Sequence, residues 1–320
     1  MYKNKKIAVV VPAYKEEELI RETLSSIPEY VDRIYAVDDG SPDRTYEIMR
    51  KIAEEDPRVI CMKHEKNGGV GVAIVTGYKK ALQDRMDIAV VMAGDNQMNA
   101  SFLTDLLEPI VNGRADYVKA NRLLSPRYRI GMGKWRFFGN SILTFLTKIA
   151  SGYWQIMDPQ NGYTAISRNA LERLELDSIY PWYGYCNDIL VKLNVYGLRV
   201  VDVPVPARYG SEKSSIKYST YIVKISLMLL RNFFWRLKMK YIILSFNPLV
   251  FFYILGIILT PIGFITGVYA LHYKYILGGS LFVRGVLSLL IFIIGIQFLS
   301  FAMLYDMQMD NIERRIKIDT

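Results

Sequence analysis

A chain of 320 residues, 51% of them hydrophobic, is long enough for one large domain or two small ones, each with its own core. Its two cysteines give neither a disulfide framework nor a metal-ligand spacing. The net charge of +9 is concentrated beside apolar C-terminal segments, which indicates a membrane surface and argues against nucleic acid as a partner. No secretory signal is expected, because only a short apolar run, 7–11, follows the first lysines.

Short apolar runs alternate with helical patterns over the first hundred residues. Strands are predicted over 7–11, 33–37, 59–62 and 87–92, and helices over 16–27, 44–54 and 72–82. Further on, strands are predicted over 116–120 and 198–203, and helices over 134–150 and 187–196. This alternation predicts an α/β fold with a mostly parallel, Rossmann-like sheet that has helices on both faces.

The first predicted strand ends in a turn whose side chains suit a nucleotide. Pro12 ends the strand, Tyr14 offers a flat face for a base, and Glu16 could accept hydrogen bonds from a base or a ribose. An ordinary helix start explains the same residues equally well. This turn alone leaves both interpretations open.

Two adjacent carboxylates, Asp38 and Asp39, end the second predicted strand just before a Gly-Ser-Pro-Asp turn. Carboxylates at the carboxyl ends of parallel strands lie where open α/β sheets bind their ligands. The pair suits a cation, or the hydroxyl groups of a sugar or nucleotide. The alternative is an acidic turn between a strand and a helix.

The third turn is rich in glycine, and the fourth carries Asp95 and Gln97. The glycines match neither the dinucleotide fingerprint nor the phosphate loop, which argues against a Rossmann dehydrogenase and a P-loop ATPase. Their simpler role is to let backbones pack closely. Asp95 and Gln97 supply oxygen ligands that suit Mg²⁺ or Mn²⁺. Polar side chains from several strands are therefore expected at one edge of the sheet.

Together these turns resemble the inverting nucleotide-sugar glycosyltransferases of family 2, and among them the polyprenyl-phosphate sugar synthases. The resemblance covers residues 5 to about 220 and rests on motifs in the family's order: Pro12-Ala13-Tyr14-x-Glu16, Val37-Asp38-Asp39-Gly40-Ser41-x-Asp43, Asn67-x-Gly69-x-Gly71-x-Ala73 and Gly94-Asp95-x-Gln97. It implies a GT-A fold, a UDP- or GDP-sugar donor, a polyprenyl (dolichyl or undecaprenyl) phosphate acceptor, and Mg²⁺ or Mn²⁺. The nucleotide-binding residues expected from it are Pro12, Tyr14, Glu16, Asp38, Asp39 and Gly71.

The chain departs from the family pattern at the fourth turn. The family usually has Asp-x-Asp there, whereas Ala93 takes the first position and leaves Asp95 alone. Mg²⁺ commonly takes one or two carboxylates and completes its octahedron with phosphate oxygens and water. Asp95 and Gln97 are therefore predicted to bind the metal together with a donor diphosphate. A catalytically weak nucleotide-sugar-binding protein is the alternative that Ala93 leaves open.

Arginines are expected to bind the acceptor phosphate, because guanidinium groups suit phosphate oxygens. The resemblance places Arg122, Arg136 and Arg208 at this phosphate. The family's usual Ser-Lys pair is replaced by a pair of serines, and the first of them, Ser214, is expected to bind the acceptor phosphate as well. Arg122 is expected to be catalytic as well, since it would align the phosphate for attack.

Asp188 lies where relatives that act on hydroxyl acceptors carry a catalytic base. A phosphate acceptor is ionised near pH 7 and needs no base, whereas a hydroxyl acceptor does. The alternative function is therefore transfer to a hydroxyl of a glycolipid or polysaccharide, with Asp188 as the base. Asp188 could instead cap its helix.

The C-terminal third predicts a membrane anchor. Residues 241–273 and 285–305 include no Asp, Glu, Lys or Arg, and each run reaches the roughly 20 apolar residues that cross a bilayer. Predicted boundaries are 1–212 for the GT-A domain, 213–242 for an interfacial helix, 243–308 for a hairpin with spans at about 248–271 and 285–305, and 309–320 for a tail. Basic residues flank the spans and predict a multi-pass membrane protein with its catalytic domain in the cytoplasm. The hairpin could also associate with a second copy of the chain.

The predicted interfacial helix has a basic stripe. Lysine or arginine recurs every seven residues from Lys217 to Lys238, which aligns these residues on a helix. An apolar cluster lies away from the stripe: Ile222, Ile225, Leu229, Phe233 and Leu237. This pattern predicts a helix in the membrane plane, attracted to anionic headgroups. A solvated helix packed on the domain is the alternative.

Overall fold

The computed structural model describes residues 1–123, 134–206 and 218–319, without the side chains of 134–138, 218–219 and 310–319. The chain divides into two compact units, Met1–Phe233 and Phe234–Thr320. The first unit is an α/β domain, and the second consists mainly of two long apolar helices.

The strands of the first unit form one seven-stranded sheet within the described residues. They are β1 (Ile7–Ala13), β2 (Arg33–Asp38), β3 (Val59–Lys63), β4 (Ile88–Val91), β5 (Tyr117–Asn121), β6 (Thr164–Ser167) and β7 (Val200–Pro204). Their spatial order is β3-β2-β1-β4-β6-β5-β7, and only β6 runs antiparallel to its neighbours. The mostly parallel sheet is confirmed. β6 was not predicted, since its four residues are too few to show a pattern.

Helices connect the strands of the first unit. They are α1 (Ile20–Ser25), α2 (Thr45–Glu55), α3 (Val70–Gln83), α4 (Leu103–Val111), α5 (Lys134–Ser151), α6 (Arg168–Arg173), α7 (Tyr185–Val195) and α8 (Tyr218–Lys238), which continues into the second unit. α1 begins later than predicted because the chain first turns at Lys15, whose φ is +61°. α4 was missed, and Pro109 in its interior is a residue that argues against a helix.

Two hydrophobic cores cover the two faces of the sheet. Successive strand residues point to opposite faces, so Val9 belongs to one core and Val10 to the other. The first core includes Leu106 of α4, and the second includes Ile74 of α3 and Ile189 of α7. Because both faces are buried, the strands read as continuous apolar runs, and their carboxyl ends carry the polar turns.

The apolar cluster predicted on α8 is buried in the protein, which corrects the expected orientation of this helix. Ile225, Leu229, Phe233 and Leu237 are at most 7% exposed. A Cβ on Gly184 would lie 2.5 Å from Ile225 Cδ1, so α8 packs closely on the segment before α7. A second stripe faces outward instead, and its members are 48–64% exposed: Val223, Leu227, Leu230 and Phe234. The sequence pattern could not separate the two faces, because both are apolar.

The second unit is built around α9 (Leu249–Leu277) and α10 (Phe282–Asp319). Leu249–Leu277 and Phe282–Met309 are long and apolar enough to cross a membrane, judged by length and composition. The helices approach closely at Gly263, where a Cβ would lie 2.4 Å from the backbone nitrogen of Phe292. Arg236 forms a bidentate ion pair with Asp306, with both N–O distances at 2.9 Å. This pair joins the end of α8 to α10 within the unit.

Candidate functional site

The turn after β1 forms one wall of a cleft at the carboxyl edge of the sheet. Pro12, Tyr14 and Glu16 line this cleft, and their nucleotide contacts stay a prediction. The turn is fixed by side chains that follow β2. The backbone N–H of Lys15 donates to Ser41 Oγ (3.0 Å), and that of Glu16 donates to Thr45 Oγ1 (2.9 Å).

Asp38 and Asp39 have separate positions, although they are adjacent in sequence. Asp38 is fully buried and does not line the cleft. Its Oδ1 accepts a hydrogen bond from the backbone N–H of Ser41 (3.2 Å), which closes the turn that supports Lys15 and Glu16. Asp38 therefore shapes this turn, since a strand directs consecutive side chains to opposite faces, and its predicted nucleotide contact stays a prediction.

Asp39 lines the cleft, and its carboxylate holds the glycine-rich turn at 67–71. Oδ1 accepts from the backbone N–H of Gly68 (3.0 Å), and Oδ2 accepts from that of Gly69 (2.8 Å). His64 Nδ1 lies 2.8 Å from Oδ1, and its Nε2 lies 3.0 Å from Thr76 Oγ1. Hydrogen bonds to a carboxylate are stronger than those between neutral groups. Asp39 and His64 thus fix the position of this turn.

The glycine-rich turn packs under a segment that sequence reasoning did not connect with the site. Gly69 adopts φ +99°, and a Cβ there would lie 2.4 Å from the carbonyl oxygen of Pro181. The backbone N–H of Gly71 donates to that same oxygen (2.7 Å). Gly71 packs closely against this segment and does not line the cleft, and its predicted nucleotide contact stays a prediction.

Two aromatic side chains, Trp182 and Tyr183, complete the cleft lining. Neither was predicted as a site residue. The aromatic run 180–185 was the available signal, but it lies more than a hundred residues after the glycine-rich turn it covers. The pKa of Tyr183 is raised by partial burial and then by the carboxylates of Glu16 and Asp95. Both carboxylates therefore act electrostatically at the same cleft.

The donor atoms of the cleft suit a divalent cation that has further ligands from outside the protein. Asp95 lines the cleft, and its Oδ1 accepts from the backbone N–H of Gln97 (3.1 Å), whereas Gln97 itself does not line it. The described residues contain no group of three or more His, Cys, Asp or Glu side chains that could hold a metal ion. The carboxylates of Glu16 and Asp95, which raise the pKa of Tyr183, favour a cation here. The residues fit Mg²⁺ or Mn²⁺ only with phosphate and water oxygens added.

Arg122 has a carboxylate partner. Its Nε and Nη2 donate to the two oxygens of buried Asp158 at 2.7 Å and 2.9 Å, and its backbone N–H donates to the same side chain. Arg122 does not line the cleft. Its catalytic role stays a prediction. Arg136 lies in α5 with its side chain undescribed, and Arg208 and Ser214 lie outside the described residues.

Asp188 is buried in α7 and holds three donors. Oδ2 accepts from the backbone N–H of Tyr180 (2.8 Å) and from Lys192 Nζ, and Oδ1 accepts from Asn232 Nδ2 (2.6 Å). Its side chain is 4% exposed and does not line the cleft. This geometry does not favour the predicted role of catalytic base, because a base must reach the proton that it removes, and that role stays a prediction.

Comparison with protein families gives a match over much of the first unit. The model of the family described as "Glycosyl transferase family 2" matches residues 8–175. A UDP-N-acetylglucosamine–dolichyl-phosphate N-acetylglucosaminyltransferase of Methanococcus voltae is 33% identical over 219 residues, which cover 64% of this chain and 87% of that protein. An undecaprenyl-phosphate mannosyltransferase of Micrococcus luteus is 27% identical, over 62% of this chain and 82% of that protein.

A dolichol-phosphate mannosyltransferase of Pyrococcus furiosus is 31% identical over 64% of this chain, and the match spans 56% of that relative. Among solved structures, glucosyl-3-phosphoglycerate synthase from Mycobacterium tuberculosis in complex with Mn²⁺, UDP-glucose and phosphoglyceric acid aligns with a TM-score of 0.52. The identity is 21%, over 73% of this chain and 80% of that chain. The likeness shows the fold, and it confirms the predicted GT-A architecture.

The Asp39 contacts predict a large effect of a small substitution. Asp39→Asn replaces one acceptor oxygen by an N–H₂ group that faces a backbone N–H, which should destabilise the protein by about 1–3 kcal/mol. A lower thermal midpoint and faster hydrogen exchange at the amides of Gly68 and Gly69 are expected. Asp105→Asn, on an exposed residue of α4, is the matched control and should leave both unchanged. Unchanged exchange in Asp39→Asn would contradict the proposed hold on this turn.

The pH dependence of stability should show the ionisation of Asp202. Burial raises the pKa of this carboxyl to about 6, above its ordinary value of 3.8, while hydrogen bonds from Met157 and Asn121 oppose the shift. A raised pKa favours the protonated form in the folded state, so the stabilisation present below pH 4 is lost as the pH rises through 6. Relative to Asp202→Asn, the wild-type protein should lose about 2 kcal/mol between pH 4 and 7. Parallel thermal midpoints for the two proteins across this range would contradict the shift.

Proposed function

Because the chain belongs to glycosyl transferase family 2, we propose that it transfers one sugar from a UDP- or GDP-sugar to a polyprenyl phosphate at a membrane. The observation that carries the choice of acceptor is the burial of Asp188. The residue at the position of the family's base holds three donors and is absent from the cleft lining. A phosphate oxygen is ionised near neutral pH and needs no base to attack. The names of the similar relatives from Methanococcus, Pyrococcus and Micrococcus support this acceptor.

The first and third turns form the proposed nucleotide site. Tyr14 presents an aromatic face that is 40% exposed, and Glu16 offers carboxylate oxygens to a base or ribose. Asp39 acts by holding the glycine-rich turn in place, which keeps the opposite wall of the cleft in position. Trp182 and Tyr183 lie over this wall and exclude water from the donor.

The reaction that this arrangement supports is an in-line displacement. An oxygen of the acceptor phosphate attacks the anomeric carbon of the sugar, a C–O bond forms there, and the bond to the nucleoside diphosphate breaks with inversion. The diphosphate leaves with the bonding electrons. Asp95 is the cleft residue that would bind Mg²⁺ or Mn²⁺, which supplies positive charge for the leaving group.

The proposed membrane placement rests on the apolar helices of the second unit. α9 and α10 would span the bilayer as a hairpin, with the α/β domain on the cytoplasmic side. The outward stripe of α8 is edged by exposed basic residues: Lys224, Arg231 and Lys238. Such a stripe suits a helix in contact with anionic headgroups. The acceptor phosphate lies in that same headgroup layer.

The choice of acceptor predicts a sharp preference. The purified full chain is incubated with labelled UDP- and GDP-sugars, Mn²⁺, and either a short polyprenyl phosphate or the polyprenol of the same length. We expect a labelled lipid with the phosphate only, because the described cleft offers no base in the position that a hydroxyl acceptor uses. Faster transfer to the polyprenol, or to a glycolipid hydroxyl, would contradict the proposal. Binding of donor without any transfer would favour the catalytically weak alternative.

Replacement of Asp95 tests the metal assignment. Asp95→Asn should lower turnover by about 100-fold or more, since it removes the carboxylate predicted to position positive charge at the diphosphate. Turnover is measured over a range of Mn²⁺ and Mg²⁺ concentrations, with Asp105→Asn as the matched control. Full activity of Asp95→Asn in metal-free buffer would show that this residue does not bind a required metal.

A further inference from the structure

One continuous series of contacts joins α8 to the wall of the cleft. Asn232 of α8 donates to Asp188 Oδ1 (2.6 Å), and Asp188 Oδ2 accepts from the backbone N–H of Tyr180 (2.8 Å). The adjacent carbonyl of Pro181 accepts from Gly71 of the glycine-rich turn (2.7 Å). Each bond lies within the first unit and is buried or nearly so.

The segment 180–184, here called the aromatic loop, is the middle of this series. Its residues Trp182 and Tyr183 line the cleft. α8 packs directly beneath its end, since a Cβ on Gly184 would meet Ile225 Cδ1 at 2.5 Å and Met228 Sδ at 3.2 Å. The aromatic loop is thus held between the glycine-rich turn on one side and α8 on the other.

Asp188 is the junction of these contacts. A buried carboxylate that accepts from a backbone N–H, an amide and an ammonium group has its charge compensated locally. Removal of any one donor leaves part of a buried charge without compensation, so the arrangement favours one position of the loop. The ordinary explanation, a cap for α7, is not met, because the cap position of this helix is Gly184, which has no side chain.

We propose that Asp188 is a positioning residue, which fixes the aromatic loop over the cleft by joining the loop to Asn232 of α8. The inference rests on the proposed donor cleft and adds a regulatory consequence. α8 carries the outward apolar stripe and its basic edge, so the helix that meets the membrane also holds the loop that closes on the donor. Donor affinity then depends on how α8 is positioned against the aromatic loop.

The hydrogen-bond chemistry gives a test that separates positioning from base catalysis. In Asp188→Asn the new amide oxygen can still accept from Tyr180, and the Asn232 amide can turn so that its oxygen accepts from the new N–H₂. In Asn232→Asp two carboxylates face each other. In the double variant, the new amide at position 188 donates to the new carboxylate at position 232, so the pair keeps one hydrogen bond and one negative charge. The double variant is the matched control, since it contains both substitutions.

Binding of UDP with Mn²⁺ to the full chain in lipid nanodiscs is measured by calorimetry, with GDP in a parallel series. We expect Asn232→Asp to weaken binding by about 10-fold or more, and to raise the donor KM far more than it lowers kcat. Asp188→Asn removes the counter-charge of Lys192 and should lower the thermal midpoint, but its nucleotide binding, like that of the double variant, should stay within about threefold of the wild-type protein. Hydrogen exchange at the amide of Tyr180 should accelerate only in Asn232→Asp.

Several outcomes would overturn the inference. Unchanged nucleotide binding and Tyr180 exchange in Asn232→Asp would show that α8 does not hold the loop. A failure of the double variant to recover would show that the pair does not act through its hydrogen bond. A collapse of kcat in Asp188→Asn with normal nucleotide binding would return Asp188 to the role of base.

Two further measurements apply if a variant does not fold or if the wild-type protein binds no nucleotide. If Asn232→Asp does not fold, Asn232→Ala replaces it, with the same expected loss of binding and of Tyr180 protection. If the wild-type protein binds neither nucleotide, the proposed donor is wrong. The exchange rates at Tyr180 still decide whether Asn232 and Asp188 hold the loop.

Discussion

The arrangement of the cleft depends on the carboxylate of Asp39. It accepts from two consecutive backbone amides, those of Gly68 and Gly69, at 3.0 Å and 2.8 Å. Such bonds restrict a turn whose glycines have wide conformational freedom. The carbonyl of Pro181 and the ring of Trp182 pack against this turn, so the position of the turn determines theirs. One buried carboxylate therefore defines the wall against which a donor would bind.

The same principle extends from the cleft to α8 through a second buried carboxylate. Asp39 organises the turn under the aromatic loop, and Asp188 organises the loop itself from the side of α8. Neither carboxylate has to contact a substrate in order to shape the cleft. A carboxylate that accepts from several N–H groups at once holds the loops around it in one position, and these bonds offset the cost of its buried charge. Tyr14, Glu16 and Asp95 also line the cleft, and they are the residues proposed to meet the donor.

The sequence predicted the sheet and the position of the cleft because strand periodicity and polar turns are local signals. Tyr14, Glu16, Asp39 and Asp95 do lie together at one edge of the sheet. Prediction from the sequence failed where residues that contact each other are distant in the chain. The division between Asp38 and Asp39 is set by the alternation of a strand, but the bond from Asp188 to Asn232 spans 44 residues and has no local pattern. α8 was oriented wrongly because both of its sides are apolar, and only packing decides which is buried.

The dependence of transfer rate on pH tests the central claim, that the acceptor attacks as a phosphate without a protein base. Rates to a short polyprenyl phosphate are measured from about pH 5 to 8 for the wild-type chain and for Asp188→Asn. We expect the same profile for both, with the rate rising near pH 6 as the acceptor phosphate loses its second proton. A rise in the wild-type profile that disappears in Asp188→Asn, together with a large loss of rate, would contradict it.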